Sequence, residues 1–136
     1  MIIIIVLKGD VRMKEKHSER REKIYEYLSA TKAHPEAEEI YLALKKEFPS
    51  LSLATVYRNL SKFVEEGKAV EISGGNHVIH FDACVAPHYH FSCEQCNRIY
   101  DVEMPAMELT AEGLEKVGQV NRHELVFYGI CNQCQE

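Results

Sequence analysis

The chain has 136 residues, 46% of them hydrophobic and 27% charged, with a formal net charge of −5, 7 histidines and 5 cysteines. That length fits one domain of ordinary size or two small ones, and the composition excludes a disordered, collagen-like or low-complexity chain. Charge is unevenly spread: Met13 to Ser73 carries 11 Lys+Arg against 11 Asp+Glu, whereas Gly74 to Glu136 carries 3 against 9, so only the first half can offer a basic face.

The opening Met1-Ile2-Ile3-Ile4-Ile5-Val6-Leu7 is apolar but far shorter than the ~20 residues a membrane span needs, and no basic segment precedes it. We read residues 1–12 as an extension, an upstream start ahead of Met13, and expect a cytoplasmic protein without a membrane anchor. In that reducing compartment, cysteine pairs point to metal or redox chemistry rather than to structural disulfides.

Residues 14–30 carry Ile24, Tyr27 and Leu28 at helical spacing, which predicts a first helix ending near Ala30. Pro35 suits a first helical turn, Glu36, Glu38 and Glu39 favour a helix N-terminus, and Ala37, Ile40, Tyr41, Leu44 and Phe48 share one face, so a second helix should run to just before Pro49. Ser52 is a good N-cap for a third helix with the apolar stripe Leu53, Val56, Leu60, Phe63 and Val64, which Gly67 is placed to end. Ala69 to Ile72 and His77 to Phe81 flank Ser73-Gly74-Gly75-Asn76 and read as a β-hairpin. Three helices followed by a hairpin give a winged helix-turn-helix over 13–82.

Residues 83–91, with Pro87, break the periodicity and are expected to be a hinge. Beyond it, Arg98 to Glu103 suits a strand, Met107, Ala111, Leu114 and Val117 suit a helix, and Gln119 to Ile130 suits a second strand. The fold class expected is α+β, with residues 92–136 a small α/β domain that pairs with a second copy because its own core is thin.

Cys93-x-x-Cys96 and Cys131-x-x-Cys134, 34 residues apart, are two knuckles of the kind that aim four thiolates at one tetrahedral Zn²⁺. Two redox dithiols, or cysteines that merely pack, are the competing readings. A thiol oxidoreductase would need one such pair in a βαβ setting, which neither has. His88-Tyr89-His90 puts two imidazoles on one side of an extended segment, with Asp82 before it and Asp101 after the first knuckle. Nitrogen and oxygen donors without sulfur suit Fe²⁺, Mn²⁺ or Zn²⁺ in five or six coordination.

At these segments the chain resembles the ferric uptake regulator family, in particular its peroxide-sensing branch. The carriers are AHPEAEEIY (33–41), LSLATVYRNL (51–60), FD (81–82), HYHFSCEQCNRIYDVE (88–103) and YGICNQC (128–134). The resemblance implies a winged-helix DNA-binding domain, a hinge and a dimerisation domain holding structural Zn²⁺ on Cys93, Cys96, Cys131 and Cys134. It also implies a regulatory Fe²⁺ or Mn²⁺ on His34, Asp82, His88, His90 and Asp101, with His34 and His88 the rings that peroxide oxidises.

In iron-sensing members the position of Asp101 usually holds Glu, and zinc-sensing members often have Cys where Asp82 stands, so both positions favour peroxide sensing. Cys84, two residues past Asp82, keeps a zinc sensor open, and an iron- or zinc-responsive regulator of metal uptake is the alternative. The family's usual first helix is eroded here to MKEKHSERREKIY, leaving Lys14, Lys16, Arg20 and Arg21 to face phosphate. Tyr57 and Arg58 would enter the major groove of double-stranded operator DNA, with Ser52 and Thr55 contacting phosphate. His77 and His80 are extra histidines, and His80 is read as hairpin surface, with a spare metal ligand as the alternative. The expectation is a homodimeric metal-dependent repressor, with no enzymatic activity, organic substrate or membrane partner.

Overall fold

The computed structural model describes residues 17–108 and 112–136. The extension 1–12, the charges Lys14 and Lys16, and Ala111 of the expected fourth helix lie outside the described residues. Contacts divide the rest into two units, one of the described residues up to Ile72 with Ile79–Val85, the other Ser73–Val78 with Ala86–Glu136.

In the first unit, α1 (residues 17–30), α2 (Ala37–Leu44) and α3 (Leu53–Glu65) precede a two-stranded sheet of β1 (Val70–Ser73) and β2 (Ile79–Asp82). Their apolar stripes converge as the spacing predicts: Ile24, Leu28, Ile40, Val56, Leu60, Phe63 and Phe81 form one buried cluster. Ser52 caps α3, its Oγ accepting from the Thr55 N–H at 3.1 Å. Gly67 follows α3 at φ +73°, a left-handed conformation that a Cβ would strain.

Two boundaries differ from the sequence reading. Pro35 does not open α2, because its segment is tied to β2: the Phe81 N–H donates to the Pro35 carbonyl at 3.0 Å, and Glu36, which is extended, bridges to His80. At its other end α2 stops at Leu44. A looser turn carries on to Phe48, whose N–H still reaches the Leu44 carbonyl at 3.0 Å.

The second unit holds a three-stranded sheet in the order β4-β3-β5, of β3 (Tyr89–Cys93), β4 (Ile99–Val102) and β5 (Val126–Gly129), with the short helices α4 (Glu112–Val117) and α5 (Asn132–Gln135). β3 and β4 are antiparallel, with His90 opposite Asp101. β3 and β5 are parallel, with Cys93 opposite Gly129. A Cβ at Gly129 would sit 3.2 Å from the Phe91 ring, so the close approach favours glycine.

The hairpin turn belongs to this unit through the Gly75 N–H, which donates to Ser92 Oγ at 3.1 Å. β3 begins at Tyr89, inside the stretch expected as a hinge, so the irregular connection ends at His88. The strand expected from Gln119 to Ile130 is ordered as a strand only over Val126–Gly129, because its one ladder partner, β3, is five residues long. Among the described residues no helix is long and apolar enough to cross a membrane.

Candidate metal centres and nucleic-acid face

The strand register and turns of the second unit bring the four knuckle cysteines together. Cys93 ends β3, Cys96 lies in the turn toward β4, and Cys131 and Cys134 flank the start and body of α5 just past β5. Asn97 adopts φ +64° as the knuckle turns back, and its N–H donates to the Cys93 carbonyl at 3.0 Å.

Cys93 and Cys134 Sγ are 3.8 Å apart, as are Cys96 and Cys131 Sγ, and all four sulfurs lie within 4.8 Å of one another. A tetrahedron with Zn–S bonds of ~2.3 Å has edges of roughly 3.8 Å, the length of two of these separations, so the cage is close to the dimensions of a zinc site.

Electrostatics prepare the cage for a cation. The Cys96 and Cys131 N–H groups point at Cys93 Sγ, at 3.5 and 3.3 Å, and hold its thiol down to about 6. The Tyr100 hydroxyl beside Cys131 lowers that thiol as well. Cys134 is pushed up to about 12, first by its hydrogen bond with Cys131 and then by burial. Four thiolates crowd one another unless a cation sits among them.

The histidine and aspartate candidates form a pair in the first unit and a triad in the second. In the first, His34 Nε2 lies 3.2 Å from Asp82 Oδ2, with the two residues only 2% and 8% exposed. Asp82 Oδ1 accepts the Cys84 N–H at 2.9 Å, which fixes the carboxylate with Oδ2 toward His34. In the second, one oxygen of Asp101 is 3.0 Å from His88 Nε2 and 3.4 Å from His90 Nε2. The two rings meet edge to face at 4.4 Å.

The donor chemistry can be tested at His88. Its Nδ1 is 2.6 Å from the Ala86 carbonyl. A carbonyl only accepts, so Nδ1 carries the hydrogen, and in the neutral ring Nε2 presents a lone pair to the Asp101 oxygen. Two acceptors face each other there, an arrangement that calls for a cation, whether a proton or a metal ion. This is how a ligating histidine is commonly oriented, with its second nitrogen tied to the backbone. The nitrogen and oxygen set fits Fe²⁺ or Mn²⁺.

Cys84, kept open as a sulfur donor from the sequence, is exposed and stands outside both ligand groups among the described residues. Tyr89, buried, has its hydroxyl 2.6 Å from His123 Nε2 and accepts the Met107 N–H at 2.7 Å. His80, assigned to the hairpin surface, is only 3% exposed. The signal missed was its packing against the His34–Glu36 segment, a neighbour 46 residues away that alternation along one strand cannot reveal.

On α3, Tyr57 and Arg58 are exposed, while Ser52 and Thr55 hydrogen-bond to each other through their hydroxyls at 2.9 Å. Thr55 also accepts from Arg58 Nη2 at 3.4 Å, and its carbonyl accepts from Asn59 Nδ2. A groove of about 380 Å³ lined by Arg21, Arg58 and Lys62 runs along this polar face. Arg21 is steadied there by Glu66 and by the Phe63 ring, 4.8 Å from its guanidinium.

A winged helix followed by a small sheet carrying a four-cysteine cage defines a class of metal-dependent transcription regulators, and comparison with known proteins agrees. The profile of the ferric uptake regulator family matches residues 12–128, and the chain belongs to that family. Its members are DNA-binding, dimeric transcription regulators rather than enzymes.

The peroxide operon regulator of Bacillus subtilis is 39% identical over 119 residues, 86% of this chain and 82% of that protein. The peroxide-responsive repressor PerR of Staphylococcus aureus is 37% identical over 123 residues, 86% and 80% of the two chains. Among solved structures, the Campylobacter jejuni peroxide stress regulator is 31% identical with a TM-score of 0.69, covering 94% of this chain and 98% of that one.

Proposed function

We propose that this chain is a cytoplasmic, homodimeric repressor that senses peroxide through a regulatory Fe²⁺ and can hold Mn²⁺ in the same place. The observation that carries the reading is the division of the donors: His34 and Asp82 stand in one unit, and His88, His90 and Asp101 in the other. The names of the similar peroxide regulators support the same choice.

Ligation of one ion by both sets would fix the angle between the DNA-reading unit and the pairing unit. In a two-fold dimer that angle sets the distance between the two α3 helices, which operator half-sites demand at roughly one helical turn, ~34 Å, or a multiple. Turning a hinge from 1:99 to 99:1 takes ~5.5 kcal/mol of differential binding, within reach of five ligands. Cys93, Cys96, Cys131 and Cys134 would hold Zn²⁺ as a structural ion whose binding energy is folding energy.

A bound Fe²⁺ would supply the redox chemistry that splits the O–O bond of hydrogen peroxide. His34 and His88, as its ligands, would be the rings placed to take up one oxygen atom, each such ring losing two electrons while the peroxide gains two and its other oxygen leaves as water. An oxidised imidazole would be a poorer donor, which would favour release of the ion. Arg58, beside Tyr57 on the exposed face of α3, would read guanine in the major groove, with Ser52 and Thr55 at the helix start near phosphate.

The test is a gel shift on operator DNA with protein loaded with Fe²⁺, Mn²⁺ or Zn²⁺, each with and without peroxide. Loss of binding for the iron form alone, with added oxygen on a tryptic peptide containing His34 or His88, is expected. Binding by the iron form that survives peroxide would overturn the reading, and activation by Zn²⁺ alone would replace it with a zinc sensor.

A further inference from the structure

His34 has φ +54°. Left-handed backbone is uncommon for any residue but glycine, and a residue before proline is further biased toward extended conformations. Such a conformation persists only where neighbouring contacts impose it. Here they come from β2.

His80 Nδ1 lies 2.8 Å from the His34 carbonyl oxygen, and since a carbonyl only accepts, the ring N–H donates. One residue on, the Phe81 N–H donates to the Pro35 carbonyl at 3.0 Å. One further, Asp82 faces the His34 ring at 3.2 Å. Three consecutive residues of one strand thus hold the His34 carbonyl, hold its successor, and supply the carboxylate opposite its imidazole.

Resting on the functional reading above, we propose that His80 is the positioning residue of the regulatory site: its hydrogen bond to the His34 carbonyl fixes the left-handed turn that presents the His34 ring to the metal. His80 is not itself a ligand. Its Nδ1 is engaged by the backbone, and its Nε2, without a hydrogen-bond partner, lies 3.7 Å from the Glu36 carboxylate. It joins neither ligand group among the described residues. The effect is pre-organisation, since a chain with the turn already made loses less freedom when the ion arrives.

The experiment titrates Mn²⁺ into the zinc-loaded full chain and into two variants. His80→Leu keeps bulk and loses the donor, while His80→Asn can place its amide N–H where Nδ1 stood. His80→Leu is expected to weaken Mn²⁺ binding by about 10- to 100-fold, the usual loss when a group orienting a ligand is removed. His80→Asn should recover most of it, with zinc content equal in all three.

A second readout follows iron loading and peroxide. The share of added oxygen on the His34 peptide, relative to the His88 peptide, should fall in His80→Leu and return in His80→Asn. Wild-type affinity in His80→Leu, or equal weakness in both variants, would overturn the positioning role alone. If His80→Leu fails to fold, His80→Asn decides: near-wild-type affinity supports the role, and lost affinity refutes it. A wild-type chain that takes up no Mn²⁺ would overturn the functional reading, and the positioning role with it.

Discussion

The two units reach order by different chemistry. The first buries a continuous apolar cluster drawn from three helices and a hairpin, with Ile24, Leu28, Ile40, Val56, Leu60 and Phe63 at most 1% exposed. Among its described residues the second buries little beyond Tyr89, His90, Ile99, Ser92 and two of its cysteines, and leaves Leu114, Val117, Val120, Phe127 and Ile130 exposed. A hydrophobic core sustains the first unit, whereas the second, with so thin a core, has most to gain from a metal among its cysteines and from a covering surface.

That contrast can be broken most forcefully at the cage. Cys131→Ser should lose the zinc and, with it, on the order of 10 kcal/mol of binding-coupled folding energy. Hydrogen exchange should then show β3, β4 and β5 unprotected while α1 to α3 stay protected. Loss of protection throughout would mean that the first unit does not stand by its own core.

Next in size, Phe63→Ala removes a ring that is 1% exposed and packs on Tyr25 at 5.0 Å, which should cost about 3–5 kcal/mol in denaturant unfolding with zinc content unchanged.

A third effect is one of pH. Cys134, pushed up to about 12 without metal, is protonated at every ordinary pH, so zinc must always displace its proton and affinity should rise with pH. Cys93, held near 6, is already a thiolate at neutrality and adds its own dependence only as pH falls through about 6. Calorimetry in buffers of different ionisation heat should therefore count more protons released by zinc below that pH than at neutrality. An unchanged count would contradict the preparation of Cys93 by the Cys96 and Cys131 N–H groups.

Smallest is Ser52→Ala, which removes the α3 cap and should cost ~1 kcal/mol, read as a small shift in thermal melting.

The same contrast explains what was legible in the sequence. In the first unit burial follows helical period, so the stripe Val56, Leu60 and Phe63, the Ser52 cap and the Gly67 stop could be read from spacing alone. In the second the periods are short, and apolar residues such as Val120 and Phe127 face no core of their own chain, so strand limits were overdrawn. The cysteine cage was visible in its two spacers because a two-residue turn is itself the geometry. His88 and His90 showed through the period of two, whereas His34 was visible only by resemblance, its φ of +54° and its tie to His80 being products of long-range pairing.

The parallel pairing of β3 with β5 carries a consequence for the order of assembly. The β3–β4 hairpin closes over a few residues and draws Cys93 and Cys96 near each other, whereas β5 must return to β3 from more than thirty residues away. Such remote strand docking is the slow event in a small sheet. Cys93 and Cys96, once close, would be able to hold an ion to which Cys131 and Cys134 could later bind, so zinc would serve the nascent chain as a docking beacon before it served the finished protein as a rivet.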